Sequence, residues 1–259
     1  MDRFAATLLL AALFVAANGI VAYAADARIG VVLLHGKQSA PDEHASLAEA
    51  LTAAGHPVER PEMCWSARRI YDLPYRQCLR EIDAAIERLQ RRGATAVVVA
   101  GHSLGANGAL AYGAQRKLAG VVALAPGHRP ELLAQRPLIV AALDQARKLV
   151  SEGRANSRLP FPDSNGDLTI SVLATAETYL SFFAPDSPAV MPANATRLQA
   201  PLLYVVGTGD PLQRGPDEIF AKAPQHALNR YVIVRAGHFD TSAAAANPVA
   251  AWLRDLARP

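Results

Sequence analysis

Near-continuous apolar runs alternate along the chain with stretches whose apolar residues return at helical spacing. RIGVVLL (28–34), ATAVVVA (94–100), LAGVVALAP (118–126), APLLYVVG (200–207) and NRYVIVRA (229–236) read as strands. Runs apolar at successive positions suit a parallel sheet covered on both faces. HPVERPE (56–62), with its two prolines, reads as a short edge strand. Between these runs, DEHASLAEALTAAG (42–55), YRQCLREIDAAIERLQRRG (75–93) and LGANGALAYGAQRK (104–117) read as helices. The first has acidic residues in its opening turn, and the second ends in arginines followed by Gly93, the expected start and stop signals. DEIFAKAP (217–224) and TSAAAANPVAAWLRDLA (241–257) supply the last helical segments.

The rhythm breaks at 127–199. Two helices are expected there, RPELLAQRPLIVAALDQARKLVSEG (129–153) and DLTISVLATAETYLSFFA (167–184). Loops such as NSRLPFPDSNGD (156–167) and PDSPAVMPANA (185–195) lie between and after them. Core strands flank the segment on both sides, so it reads as an insertion and not a second domain. The fold class is therefore α/β: a mostly parallel central sheet of about six strands flanked by helices, with a helical cap insertion.

Composition narrows the class. The chain has 259 residues, 51% hydrophobic and 19% charged, as expected of a folded globular domain. The net charge is +3, and the two signs are interspersed without a basic stretch that carries aromatics, which gives no footprint for nucleic acid. The N-terminus has Arg3, a long apolar stretch and then Ala22-Tyr23-Ala24. That is the layout of an export signal cleaved before Ala25, leaving residues 25–259 as the folded domain. An uncleaved anchor is the competing reading, because the run is long enough to span a bilayer. Asn18-Gly19 and the alanine richness favour cleavage, and then no stable membrane insertion is expected. Cys64 and Cys78 are the only cysteines. In an oxidising compartment an even pair bridges. Two buried free thiols are the alternative. Without histidines at ligand spacing the pair makes no zinc site, and the sequence assigns no metal.

Gly101-His102-Ser103-Leu104-Gly105 sits between a predicted strand and a predicted helix. A serine there is poor in a strand and poor in a core. A strand–turn–helix of the pattern G-x-S-x-G lifts a serine hydroxyl above the sheet edge, and its glycines allow a turn too tight for any Cβ. A serine needs a base. His238, in RAGHFDT, follows the last strand and reaches the same sheet edge. His35 and His102 are its rivals, while His44, His56, His128 and His226 have no comparable placement. A base histidine needs an acid. Asp210, in VVGTGDP, follows the next-to-last strand; Asp240 and Asp186 are the competing carboxylates. The N–H of Leu104 opens the helix beside the serine, and that of Gly36 or Lys37, in LLHGKQS, would complete an oxyanion hole.

LLHG, GHSLG, GTGDP and GHFD follow their strands in this order. The ordered set resembles the α/β-hydrolase superfamily of serine hydrolases over about residues 28–257. The resemblance implies a nucleophile at Ser103, an acid at Asp210 and a base at His238, with oxyanion donors around Gly36, Lys37 and Leu104. It also implies that 127–199 acts as a cap over the site. Early antiparallel strands found in larger members are missing before 28–34, so the chain resembles a compact version. The expected activity is hydrolysis of a small-molecule carboxylic ester or thioester through an acyl-enzyme, in the periplasm or outside the cell, without a cofactor. A binding or accessory protein that keeps the fold, or an amide or peptide hydrolase using the same residues, are the alternatives. His35, His102, Trp65 and Arg129 are candidate substrate contacts, with Arg68, Arg69, Tyr71 and His128 near them. Trp65 and its neighbours in 62–75 equally suit a disulfide-pinned loop, and Tyr179, Phe182 and Phe183 suit either an acyl pocket or packing. No residue pattern points to a particular protein partner.

Overall fold

A computed structural model describes residues 27–165, 168–213 and 215–258. The N-terminal segment 1–24, read as an export signal, lies outside the described residues. The chain begins with β1 (Ile29–Leu34), α1 (Ala45–Ala53), β2 (Val58–Glu59), α2 (Tyr75–Leu79), α3 (Glu81–Arg91), β3 (Ala96–His102), α4 (Leu104–Gly113) and β4 (Gly120–Leu124). The insertion follows: α5 (Pro130–Leu133), α6 (Pro137–Ser151), β5 (Arg158–Asn165), β6 (Leu168–Thr175), α7 (Ala176–Phe183) and α8 (Met191–Ala195). The chain then returns through β7 (Leu202–Gly207) and β8 (Arg230–Val234) to α9 (Thr241–Ala244) and α10 (Ala246–Ala257).

The main sheet has six strands in the order β2-β1-β3-β4-β7-β8, and every pairing in it is parallel. Alternation along each strand divides the apolar runs between two faces. Val31, Leu33, Val98, Ala100, Leu203 and Val205 pack with Leu47, Leu51, Val249, Trp252 and Leu253. Val32, Leu34, Val97, Val99, Val121 and Tyr204 pack on the other face with Ile82, Leu89 and Leu104. β2 is the edge strand its prolines suggested, only two residues long. The 75–93 helix is interrupted at Arg80, between α2 and α3. Residues 217–224 hold only the short 3₁₀ turn Phe220–Lys222 where a helix was expected.

The insertion differs most from expectation. Residues 129–153 form two helices, because a residue before proline disfavours helix and Arg136 before Pro137 is extended. Residues 167–184 are not one helix: the first part is β6, paired antiparallel along its whole length with β5, a strand where a loop was expected. Thr169, Ile170, Val172 and Thr175 give β6 the β-branched composition of a strand. Helix begins only at α7, where Thr175 caps the Thr178 amide. The cap is thus four helices and a β-hairpin.

α4 is buried along its entire length, with the sheet on one side and the insertion on the other. Asn107, in its first turns, fastens the two: its Nδ2 donates to the carbonyls of His128 (2.8 Å) and Ala189 (2.7 Å), and its Oδ1 accepts from the Tyr75 hydroxyl. Phe161, Tyr179 and Phe183 stack with centroids 4.4 Å apart at each step. Cys64 and Cys78 are joined by a disulfide with Cα atoms 5.6 Å apart, closing a loop worth roughly 3 kcal/mol in chain-entropy terms. No helix among the described residues is long and apolar enough to cross a membrane.

Candidate active site

β3 ends at His102 and α4 begins at Leu104, so one residue makes the whole turn. That residue, Ser103, has φ 53° and ψ −116°, a conformation that L-residues reach only at a cost of order 1–3 kcal/mol. The flanking glycines make the turn possible. A Cβ at Gly101 would lie 2.2 Å from the Gly105 carbonyl oxygen, and one at Gly105 would lie 2.4 Å from that of Leu34. The backbone locks the serine further: its N–H donates to Leu124 O (3.0 Å), and its carbonyl accepts from Gly127 N (3.1 Å).

Asp210 follows β7 and His238 follows β8, at the carboxyl edge of the sheet that also carries Ser103. The three form one hydrogen-bonded chain. His238 Nδ1 lies 2.9 Å from Asp210 Oδ2, and His238 Nε2 lies 3.1 Å from Ser103 Oγ. An ionised carboxylate only accepts, so in the neutral ring Nδ1 carries the proton and Nε2 presents its lone pair to the serine hydroxyl. Burial alone would raise the Asp210 carboxyl. Its bonds to His238 and to the Leu212 amide (2.8 Å) outweigh that and hold it below the ordinary carboxylate value. Asp210 is therefore the carboxylate on His238, and neither Asp186 nor Asp240 takes that place.

The other sequence candidates divide. Leu104 is the first residue of α4, and an N–H at that position has no partner inside the helix. Gly36 is not a free donor: its N–H is held by Glu43 Oε2 at 2.7 Å. Gln38 N in turn donates to Trp65 O (2.8 Å). His35 is buried, its Nδ1 donating to Gly36 O and its Nε2 accepting from Met63 N. Trp65 is wholly buried and donates from Nε1 to His35 O. These two shape the loop from below and do not reach a substrate. His102 also faces away from Ser103. Its Nε2 donates to the His238 carbonyl (2.9 Å), and its ring packs 4.9 Å from that of His238. Burial, reinforced by His44 and His238 nearby, pushes its pKa down to about 4. Tyr179, Phe182 and Phe183 are buried packing residues: Tyr179 stacks on Phe183, and Phe182 lies edge-on to Tyr71 and Tyr75.

Arg129 does reach the site. A pocket of about 140 Å³ opens at Ser103 between Gly127, Arg129, Leu132, Leu133 and Leu212. Gly127 leaves room for the nucleophile, since a Cβ there would lie 2.6 Å from Ser103 Oγ. Lys37 also lines the pocket, and its ammonium is tied down. It donates to Asp163 Oδ1 (2.6 Å) and Ser164 O (3.2 Å), while Asp163 Oδ2 accepts from Tyr71 OH (2.7 Å). The Lys37 and Asp163 side chains are 7% and 1% exposed, so the insertion meets the loop after β1 through a buried ion pair. Asp163, Asn107, Gly127 and Glu43 were not singled out in the sequence. Only the small residue at 127, directly after a strand reaching the active edge, gave a local signal.

A strained serine on a strand-to-helix elbow, linked through a histidine to a carboxylate at the carboxyl ends of a parallel sheet, defines a class of fold and site. The sequence model of the alpha/beta hydrolase family matches residues 31–252, and the chain belongs to that family. Among solved structures, the monoacylglycerol lipase of Paleococcus ferrophilus is similar with a TM-score of 0.64 at 22% identity, over 90% of this chain and 96% of that one. The siderophore hydrolase of Aspergillus fumigatus is similar at 0.63 and 15% identity, over 92% and 93%. A thermophilic esterase from Thermogutta terrifontis is similar at 0.56 and 17% identity, over 90% and 92%. At these identities the likeness is one of fold. The chain has no match among curated proteins.

Proposed function

We propose that the protein is an exported serine hydrolase that cleaves a small carboxylic ester or thioester through an acyl-enzyme. The observation that carries this reading is the chain Ser103–His238–Asp210, with contacts of 3.1 and 2.9 Å, set on the elbow. Ser103 Oγ attacks the carbonyl carbon as His238 Nε2 takes its proton. Asp210 holds the ring in the required tautomer and stabilises the imidazolium. The N–H groups of Leu104 and Lys37 receive the developing oxyanion, where each donor is worth about 3 kcal/mol of barrier. His238 then returns the proton to the leaving alkoxide or thiolate. Water, activated by the same histidine, releases the acid and restores Ser103.

The pocket between Gly127 and Leu212 holds one arm of the substrate. About 140 Å³ is well below the space that drug-sized ligands occupy, so the arm is short. The Cys64–Cys78 bridge supports export, since disulfides persist in oxidising compartments. The test is a panel of p-nitrophenyl esters of increasing acyl length, with matched thioesters and anilides, run on wild type and Ser103→Ala. The expected result is turnover of short esters or thioesters above anilides, lost in the variant. Equal turnover by Ser103→Ala would refute the assignment, and anilides cleaved fastest would move it to amides.

A further inference from the structure

Behind the proposed triad, on the side away from the pocket, two histidines and a glutamate converge. We propose that Glu43, His44 and His102 form a binding site for a divalent transition-metal cation, Zn²⁺ first among them. One donor atom from each of the three lies within 4.8 Å of the others. Both histidines are buried, and His44 Nε2 and His102 Nδ1 have no hydrogen-bond partner.

The protonation pattern follows from the partners. His102 Nε2 faces the His238 carbonyl at 2.9 Å. A carbonyl only accepts, so Nε2 carries the hydrogen and Nδ1 is left with its lone pair. That lone pair looks toward Glu43 Oε1, 3.9 Å away, another acceptor. His44 Nε2 stands 3.2 Å from Glu43 Oε2. A buried lone pair at His102 Nδ1 that faces a carboxylate costs free energy unless a positive charge lies between them. A cation bound by all three removes that cost.

The donor set suits zinc. Imidazole nitrogen with one carboxylate oxygen binds Zn²⁺, Cu²⁺ or Ni²⁺ and not Mg²⁺ or Ca²⁺. Bonds of about 2.0–2.2 Å at tetrahedral angles place donor atoms about 3.3–3.6 Å apart. The 3.2 and 3.9 Å separations run to different oxygens of Glu43 and the whole donor set lies within 4.8 Å, so the ligands draw inward by about an ångström to match. Outer partners already orient the ligands, as metal sites require: the His238 carbonyl holds His102, and the Gly36 amide holds Glu43 at 2.7 Å. The Glu43 side chain is 22% exposed, so water can reach a fourth position from that side. A bound ion would couple the loop carrying Lys37 to the loop carrying His238.

The site is tested by binding, which separates it from the hydrolase reading. Chelator-treated full-length protein is titrated with ZnCl₂ by calorimetry, and with CoCl₂ while the visible d–d bands of four-coordinate Co²⁺ are followed. One saturable equivalent is expected. Loss of outer partners alone weakens metal sites about 10–100-fold, so His44→Gln and Glu43→Gln should each weaken binding at least that much. His226→Gln, at an exposed histidine, should leave it unchanged. Circular dichroism melts report whether each variant folds, and the Co²⁺ spectrum of wild type stands even if one does not. No saturable Zn²⁺ or Co²⁺ binding, or binding that survives both Glu43→Gln and His44→Gln, would overturn the proposal.

Discussion

The two walls of the Ser103 pocket are built by different physics. On the sheet side, backbone fixes everything: Ser103 is held at φ 53° between glycines that admit no Cβ, and Asp210 and His238 come from the ends of adjacent strands. On the insertion side, a few buried side chains do the fastening. Asn107 grips the carbonyls of His128 and Ala189, and Lys37 pairs with Asp163, which Tyr71 also holds. The sheet wall is positioned to about the precision that chemistry needs. The insertion wall can change sequence and shape while the chemistry stays, which is how one fold serves many substrates. Changes on the first wall should remove turnover from a stable protein, and changes on the second should loosen the protein or alter KM.

The largest expected effect is on the sheet side. Asp210→Asn leaves His238 in the wrong tautomer and should lower kcat on an activated ester about 10⁴-fold, with little change in melting temperature. A drop of less than tenfold would give the acid's role to another carboxylate.

Next comes the insertion wall. Lys37→Met or Asp163→Asn leaves its partner charged and buried, and each should cost about 3–5 kcal/mol in urea unfolding. The double replacement Lys37→Met/Asp163→Leu should recover most of that, because it leaves neither charge unpaired. Single variants costing under about 1 kcal/mol would show that the ion pair does not fasten the insertion.

A smaller effect is expected at Gly127, where the walls meet. Gly127→Ala puts a methyl group 2.6 Å from Ser103 Oγ and should lower kcat/KM about 100-fold in a protein of near-normal stability. An unchanged rate would mean that the serine has more freedom than its contacts suggest.

The smallest effect is a pH dependence on the insertion side. His128 is buried, and desolvation, with Lys37 adding to it, holds its pKa at about 3. The unfolded chain protonates this residue near its ordinary value of 6.5. Below that pH the unfolded state binds the extra proton, so the contribution of neutral His128 is whole above 6.5 and is lost as the pH falls toward 3. At pH 5 the loss should be about 2 kcal/mol. His128→Asn tolerates the residue's φ of 60° and should flatten unfolding free energy between pH 7 and 5. An identical pH profile in the variant would place the acid sensitivity elsewhere.

The same division explains what the sequence could reveal. The sheet was legible because each strand is an unbroken apolar run, and Ser103, Asp210 and His238 each follow one directly. Backbone-determined features announce themselves through glycine and position. The insertion was harder to read. The apolar residues of 167–184 fit a helical period, and only the tertiary pairing of β6 with β5 decided for a strand over its first part. Gly36 looked like an oxyanion donor until the fold brought Glu43 to its amide. Trp65 and His35 looked like contacts because sequence gives no depth. The pairs Lys37–Asp163 and Glu43–His102 join residues far apart in the chain, and no local pattern predicts such meetings.

The central claim is that Ser103 is an activated nucleophile. A fluorophosphonate probe with intact-mass and peptide analysis tests it most directly, on wild type and Ser103→Ala side by side. One adduct per chain, mapped to Ser103 and absent from the variant, is the predicted result. A folded wild-type protein that takes up no probe, or an adduct at another residue, would contradict it.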